Sequence, residues 1–428
     1  MPHRERLTIQ EFRRSFGPGL LWAGAAIGVS HLVQSTRAGA EGGLALSGIV
    51  LAALVVKYPF FEFGPRYAAA TGESLVEGYR RIGRWAVWLY FLLTIATAVI
   101  ITATIALFAG FLAVAAAGLQ TGWAGWATGL LYVVSALLLW RGRFRLLDIT
   151  IKGILVALSV TTLIAAGFAL PRADFSTLTI WPDIGPGGVT TLAFTLALAG
   201  WMPSAIDIAV WSSLWTLAKD RATGTRTRVV TARADFLVGY LGTATLAFAF
   251  VILGAAVMHG SGRSFSPQGT VFSLQLADLY AETLGGWTRP FVLVAAVTTM
   301  LSTLLTVMDG FPRAISRSIA VIRGPAAGPG RADDNAAYWW TMAGMGLLTM
   351  VLVNRFGGTL TAMVDFATIV SFLTAPVLGY LNLRVVTMPA MPREHRPGPL
   401  LQALSYAGLV LLFAFGAVYL ATLWSHPS

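Results

Sequence analysis

The sequence predicts an all-α integral membrane protein of eleven transmembrane helices, arranged as two inverted five-helix halves plus one. Helices 1 and 6 are predicted to unwind in mid-membrane. Three observations carry this. The 428 residues are 56% hydrophobic and 11% charged, against about 25% charged in a soluble protein, and mean hydropathy is +0.71. Apolar runs long enough to span a bilayer recur from end to end. Two of those runs, five helices apart, carry helix-breaking residues at their centres.

The spans lie at 17–40, 45–68, 85–116, 123–140, 147–170, 188–216, 234–258, 287–311, 337–353, 358–382 and 400–424. The first begins Gly17-Pro18-Gly19 and is interrupted at Gly28-Val29-Ser30-His31. Irregular backbone at that depth has no water to satisfy it, so it is expected to line a cavity within the protein. The sixth is interrupted at Ala199-Gly200-Trp201-Met202-Pro203-Ser204, where Pro203 removes a donor and clashes with the preceding turn. Both interrupted spans open alike, Phe16-Gly17-Pro18-Gly19 and Ile184-Gly185-Pro186-Gly187. The expected halves are 16–170 and 184–384, with 400–424 added, in a single polytopic domain. Between spans seven and eight, Phe272, Leu276, Leu279 and Tyr280 fall at helical spacing and predict a short amphipathic surface helix.

Charge placement supports the count. With the N-terminus in the cytoplasm, most of the 30 Lys and Arg fall in inner segments, from Arg4, Arg6, Arg13 and Arg14 to Arg384, Arg393 and Arg396. Outer segments hold Arg172, Arg263, Arg289 and Arg355. This asymmetry sets orientation and accounts for the net charge of +11 without a nucleic-acid partner; the C-terminus is then outside. The first 15 residues are polar and basic, so the first span is expected to be retained rather than cleaved. There is no cysteine, which excludes disulfides and thiolate chemistry. The basic, Ala/Gly-rich composition suggests a bacterial inner membrane, and the bilayer itself is the principal partner. No cofactor is implied.

The motifs resemble the natural resistance-associated macrophage protein (NRAMP) family of proton-coupled divalent-metal transporters, which have the LeuT fold. The resemblance runs from about Phe16 to about Leu383. It rests on Gly17-Pro18-Gly19-Leu20-Leu21 and Ala38-Gly39-Ala40 in helix 1, and on Arg66 with Ala70-Thr71-Gly72-Glu73-Ser74-Leu75 after helix 2. Thr102 to Leu107 in helix 3 and Met202-Pro203 in helix 6 complete it. Where the family's helix 1 carries its metal-binding Asp and Asn, this chain has Gly28 and His31. The family's helix 6 His is replaced by Ser204, and its helix 3 Asp and Glu by Ala96 and Val99. A divalent cation in a low-dielectric cavity needs anionic or strongly dipolar ligands, so these departures favour a small anion or polar solute over manganese, iron or magnesium.

The candidate substrate-binding residues are Gly28, Ser30, His31, Gln34, Ala199, Trp201, Met202 and Ser204. The resumed half-helices at His31 and Ser204 present positive dipole ends suited to an anion or carboxylate. His31 either contacts substrate or caps the broken helix. Asp207, Arg37 and Asp365 are candidates for coupling or gating. Asp207 is expected to pair with His31, bind a coupling ion (proton or sodium), carry a proton, or lie hydrated in an inner vestibule. Arg37 guards the outer entrance or snorkels to the interface. Lys57 and Glu62 are expected to meet neighbours or the inner interface, and Asp309 and Arg313 to mark the inner end of helix 8. The tryptophans, Trp22 among them, are read as interfacial belts, except Trp201 in the break.

The leading function is a secondary transporter working by alternating access. The alternative is a divalent or soft-metal transporter using His31, Met202 and Asp207, a ligand set that suits late transition metals. A receptor that kept the fold is a third reading, against which stands the lack of an attached signalling domain. The polar clusters do not assemble nucleophile, base and orienter, so an enzyme is not expected.

Overall fold

The computed structural model describes residues 16–185, 187–324, 336–356 and 359–425, and the side chains of all of these except 142–155, 356 and 425. Arg4, Arg6, Arg13, Arg14, Pro186 and Arg331 lie outside the described residues, as do the side chains of Arg143, Arg145, Asp148 and Lys152.

The regular secondary structure of the described residues is helical apart from one isolated β-bridge. The first expected span is split. Helix α1 (Pro18–Ala26) ends at an extended Ile27, a π-helical turn follows at Ser30–Ser35, and α2 (Thr36–Gly42) completes it. Helix α3 (Ser47–Thr71) ends on a left-handed Gly72, and α4 (Leu75–Ile82) starts with a capping box of Ser74 and Glu77. Helix α5 covers Arg84–Ala116. Helix α6 runs unbroken over Ala124–Ala169, where two separate spans had been expected. The intervening Arg-rich stretch has Gly142 as its one weak helix former and no proline, so nothing in it stops the helix. The sixth expected span is also split, into α7 (Leu192–Gly200) and α8 (Ile208–Thr223).

Helices α9 (Val229–Val257), α10 (Gly269–Leu284), α11 (Arg289–Arg323), α12 (Ala336–Phe356), α13 (Leu360–Thr387) and α14 (Pro399–Ser425) complete the fold. Among the described residues, eight helices are long and apolar enough to cross a bilayer. Those eight leave out the two interrupted spans, whose pieces are short, and Val156–Arg172, the end of α6 with the turn that follows it, which is a shorter apolar stretch. The amphipathic α10 buries Phe272, Leu276, Leu279 and Tyr280, as its spacing predicted.

The two split helices are held by the long ones around them. Helix α1 opens with Pro18 in its first turn, a position where the missing N–H costs nothing. The amides of Gly17 and Gly19 donate to Asp235 of α9, at 3.2 and 2.7 Å. That carboxylate satisfies orphan donors at the positive end of the helix dipole. Gly39 of α2 and Gly254 of α9 let the backbones touch: an added Cβ would lie 2.0 Å from the Val251 carbonyl and 2.1 Å from the Thr36 carbonyl, respectively. Small residues serve this purpose at membrane helix contacts.

Most predicted interfacial tryptophans are exposed, including Trp85, Trp126, Trp140, Trp287 and Trp424. Trp22 is the exception. It is fully buried and packs against Phe61, Phe236 and Tyr240 at 5.3 Å between ring centroids. Its place in mid-α1, beside the break, puts it in the core and not at the interface.

Candidate functional site

The two interruptions face each other across a small cavity. Its wall includes Ser30 beside the first break, Trp201 and Ser204 in the second, Trp211 of α8, and Thr303 of α11. The space open to a water-sized sphere is about 30 Å³, room for about two waters. No carboxylate lines it.

Gly28 packs directly on α11: a Cβ there would lie 2.7 Å from Thr303 Oγ1 and 2.9 Å from its Cγ2. The Thr303 hydroxyl reaches the carbonyls of Gly24 at 3.1 Å and Ile27 at 2.9 Å, two of the groups that helix breakage leaves without partners. Gly28 is therefore a close-approach position, not a face of the cavity.

His31 is fully buried and turned toward α9. Its Nε2 lies 3.0 Å from the Thr243 carbonyl, and its Nδ1 lies 2.7 Å from Ser30 Oγ. A carbonyl only accepts, so Nε2 carries a proton in this arrangement. Ser30 Oγ also lies 2.6 Å from the Ala26 carbonyl. With both ring nitrogens engaged, His31 fastens the resumed helix to its neighbour, and Ser30 stands between it and the cavity.

On the second break, Trp201 lines the cavity and donates its indole N–H to Ser371 of α13 at 2.7 Å. Gly200 lets the segment press on α13, since a Cβ would lie 2.1 Å from the Thr368 carbonyl. The Met202–Pro203 peptide is cis. Met202 is fully buried and is not on the cavity wall. Asp207 is 2% exposed, which rules out the hydrated vestibule, and His31 makes its contacts elsewhere, so that expected pair does not form. Among the described residues no cluster of three His, Cys, Asp or Glu is placed to hold a metal, and His31, Met202 and Asp207 are all absent from the cavity wall.

Lys57 was expected to meet neighbours or the inner interface, and the structure puts it into the second break. Its Nζ, on α3, donates to the carbonyls of Ala199 at 3.0 Å, Gly200 at 2.9 Å and Ser204 at 2.7 Å. Ala199 thus contributes its carbonyl to Lys57 rather than to the cavity. Lys57 is separated from these residues by more than 140 positions, so no local pattern could reveal the contact.

Gln34, Arg37 and Asp365 meet as one group on the far side of the π-helical turn from α1. Arg37 Nη1 donates to Asp365 Oδ1 at 2.7 Å and to Gln34 Oε1 at 3.2 Å, and Gln34 Nε2 donates to Asp365 at 2.9 Å. The Arg37 guanidinium also lies 4.6 Å over the Phe194 ring of α7. This ties α2, α7 and α13 together. Arg37 does not snorkel.

At the opposite end, Asp309 and Arg313 are buried within α11, which continues ten residues past Arg313 to Arg323. They do not mark its end. Asp309 accepts from Arg313 Nη2 at 2.7 Å, Trp215 Nε1 at 2.7 Å and Tyr338 OH at 2.9 Å, joining α8, α11 and α12. Glu62 is likewise buried, paired with Arg66 at 2.7 Å and with Arg233 of α9.

No family model matches the sequence. The chain is 35% identical over 419 residues to the uncharacterized protein PM0681 of Pasteurella multocida (strain Pm70), a match covering 97% of this chain and 94% of that protein. Among solved structures, the manganese transporter of Eremococcus coleocola superposes with a TM-score of 0.71 at 12% identity, over 99% of this chain and 89% of that one. Mhp1, a nucleobase-cation-symport-1 family transporter, gives 0.58 at 13% identity over 94% and 89%. MhsT in complex with L-phenylalanine gives 0.57 at 15% identity over 96% and 98%. These structural likenesses show the fold, which is that of the LeuT-fold transporters. With 35% identity across nearly all of both sequences, the chain belongs to the family of Pasteurella multocida PM0681, as an integral membrane protein of LeuT fold.

Proposed function

We propose that this protein is an NRAMP-like secondary transporter that carries a small anion or acceptor-rich polar solute by alternating access. The observation that carries the reading is the cavity between the two helix breaks. Its wall holds the hydroxyls of Ser30, Ser204 and Thr303 and no carboxylate. Trp211, on the same wall, has an indole N–H with no partner among the described residues. Lys57 brings a positive charge into the adjoining backbone. An indole N–H without an acceptor, set among hydroxyls and next to a fixed cation, suits an incoming acceptor and disfavours a divalent cation.

Ser30, Trp201 and Ser204 are the direct contacts in this reading. Gly28, His31, Gln34, Ala199 and Met202 shape the site from behind. A cavity for about two waters admits no larger solute, so one side must open. The Arg37–Asp365–Gln34 group is the outer closure and the Asp309–Arg313 group lies on the inner side, with the N-terminus in the cytoplasm. The basic residues support this orientation, and the Pasteurella relative supports a bacterial inner membrane. The residues 16–170 and 184–384 form the two halves that rock against each other.

The test is thermal stability of the purified protein against two panels. One holds small carboxylates, phosphate and other oxyanions; the other holds Mn²⁺, Fe²⁺, Co²⁺, Ni²⁺ and Cu⁺. The reading expects stabilisation by a member of the first panel, weakened in Ser204→Ala and Trp211→Phe. A metal reading rests on the structural likeness to the manganese transporter of Eremococcus coleocola. Metal-specific stabilisation lost in Met202→Ala would establish that reading instead.

A further inference from the structure

Lys57 is inserted among the carbonyls of the broken sixth span. It is 1% exposed and has no carboxylate within ion-pair distance among the described residues. An ammonium has three N–H donors, and each is matched by a backbone carbonyl at 2.7–3.0 Å. None is left for a solute in the cavity. The Phe61 ring lies 5.6 Å from Nζ, adding a weak attraction for the cation. Two of the three carbonyls belong to the C-terminal end of α7, the negative end of that helix dipole.

Carbonyl oxygens converging on one monovalent charge are how unwound transporter helices hold a dissolved cation. The geometry points to a monovalent-cation site built from the backbone of Ala199, Gly200 and Ser204, which this chain fills with its own Lys57 ammonium. The helix 6 break therefore needs no sodium or potassium from solution to be stable. Taken with the transport reading above, on which this consequence rests, an alkali cation does not couple through this position.

Emptying the site tests the assignment by stability alone, so its outcome is independent of any transport assay. Full-length protein in detergent is melted in chloride salts of Na⁺, K⁺, methylammonium, ethylammonium and tetramethylammonium at equal ionic strength. Wild type should be indifferent to the cation. Lys57→Ala should melt lower by roughly 5 °C or more and should recover part of the loss in methyl- or ethylammonium, or in Na⁺ or K⁺, and none in the bulky tetramethylammonium. Lys57→Met, which refills the volume with an apolar chain, should melt low and stay unresponsive. A folded Lys57→Ala protein that ignores every cation overturns the assignment. If Lys57→Ala cannot be purified, Lys57→Gln decides: it keeps two N–H donors without the charge. Wild-type stability in Lys57→Gln would show that hydrogen bonding, not a cation, is what the carbonyls require; a clear loss supports the cation site.

Discussion

Thr303 Oγ1 occupies the space that a side chain at position 28 would need, 2.7 Å from where a Cβ on Gly28 would stand. From there its hydroxyl lies within hydrogen-bond reach of the Gly24 and Ile27 carbonyls, at 3.1 and 2.9 Å. The position at which the resembling family carries its metal-binding Asp is thus closed by a threonine hydroxyl from α11.

Restoring that carboxylate by one substitution should fail. Gly28→Ala is expected to cost about 1–3 kcal/mol through overpacking, and Gly28→Asp more, because its charge is buried without a partner. Removing the obstruction should help: Gly28→Asp with Thr303→Gly should melt above Gly28→Asp alone. Melting curves of the three variants check this; equal stability of Gly28→Ala and wild type would show that Thr303 moves aside freely.

Arg37 and Asp365 should control access from their end of the cavity. The pair is partly exposed, at 12% and 30%, so its loss should cost at most about 1 kcal/mol of stability. Its effect on opening should be larger. Because the natural chain has no cysteine, Ser204→Cys gives a single reporter in the cavity. Arg37→Ala should raise its labelling by a water-soluble thiol reagent roughly tenfold, equivalent to about 1.4 kcal/mol of bias. An unchanged labelling rate would remove this group from the gate.

Asp309 and Arg313 form a buried pair, 3% and 1% exposed. Taking away one partner leaves the other charge uncompensated, so Asp309→Asn should cost roughly 3–5 kcal/mol. The double change Asp309→Leu with Arg313→Met should recover much of that. Thermal or denaturant unfolding distinguishes the two; a double variant as weak as the single one would mean that Trp215 and Tyr338 depend on the carboxylate itself.

An acid-sensitive contact lies outside the spans. Arg263 donates to Glu282 at 2.6 and 3.0 Å, and these bonds hold the Glu282 carboxyl below its ordinary value of 4.5. The folded value is the depressed one, so the stabilisation is complete above the ordinary value and is lost as pH falls through the lower folded value. Both side chains are nearly half exposed, which limits the effect to under about 1 kcal/mol. The melting gap between wild type and Glu282→Gln should be present at neutral pH and close on acidification. A gap of the same size well below pH 4.5 would trace it to packing instead.

The membrane class, the two helix breaks and the amphipathic α10 could be read from the sequence, because each follows from local chemistry. Twenty apolar residues, a Pro203 beside a Gly200, or a helical repeat of Phe272, Leu276 and Tyr280 act over one or two turns. Arg37 and Asp365 were legible as functional candidates because charge inside a span is costly wherever it falls. Their union with Gln34 was not, since 328 positions separate the ion pair. The continuous α6 was missed because a run of arginines resembles a loop in a membrane sequence, although arginine is a good helix former.

What the sequence alone determined was where the backbone must break and which residue types stand there. What only the tertiary structure decided was who satisfies the broken backbone. The freed carbonyls of helix 1 fall to Thr303 and those of helix 6 to Lys57, each from a helix remote in sequence. A broken hydrogen-bond ladder is a local event, but in a medium without water its repair must come from whichever neighbour packing brings near. Packing also turned His31 toward Thr243 and left hydroxyls and an indole N–H around the cavity, which is why the character of the site emerges from the fold.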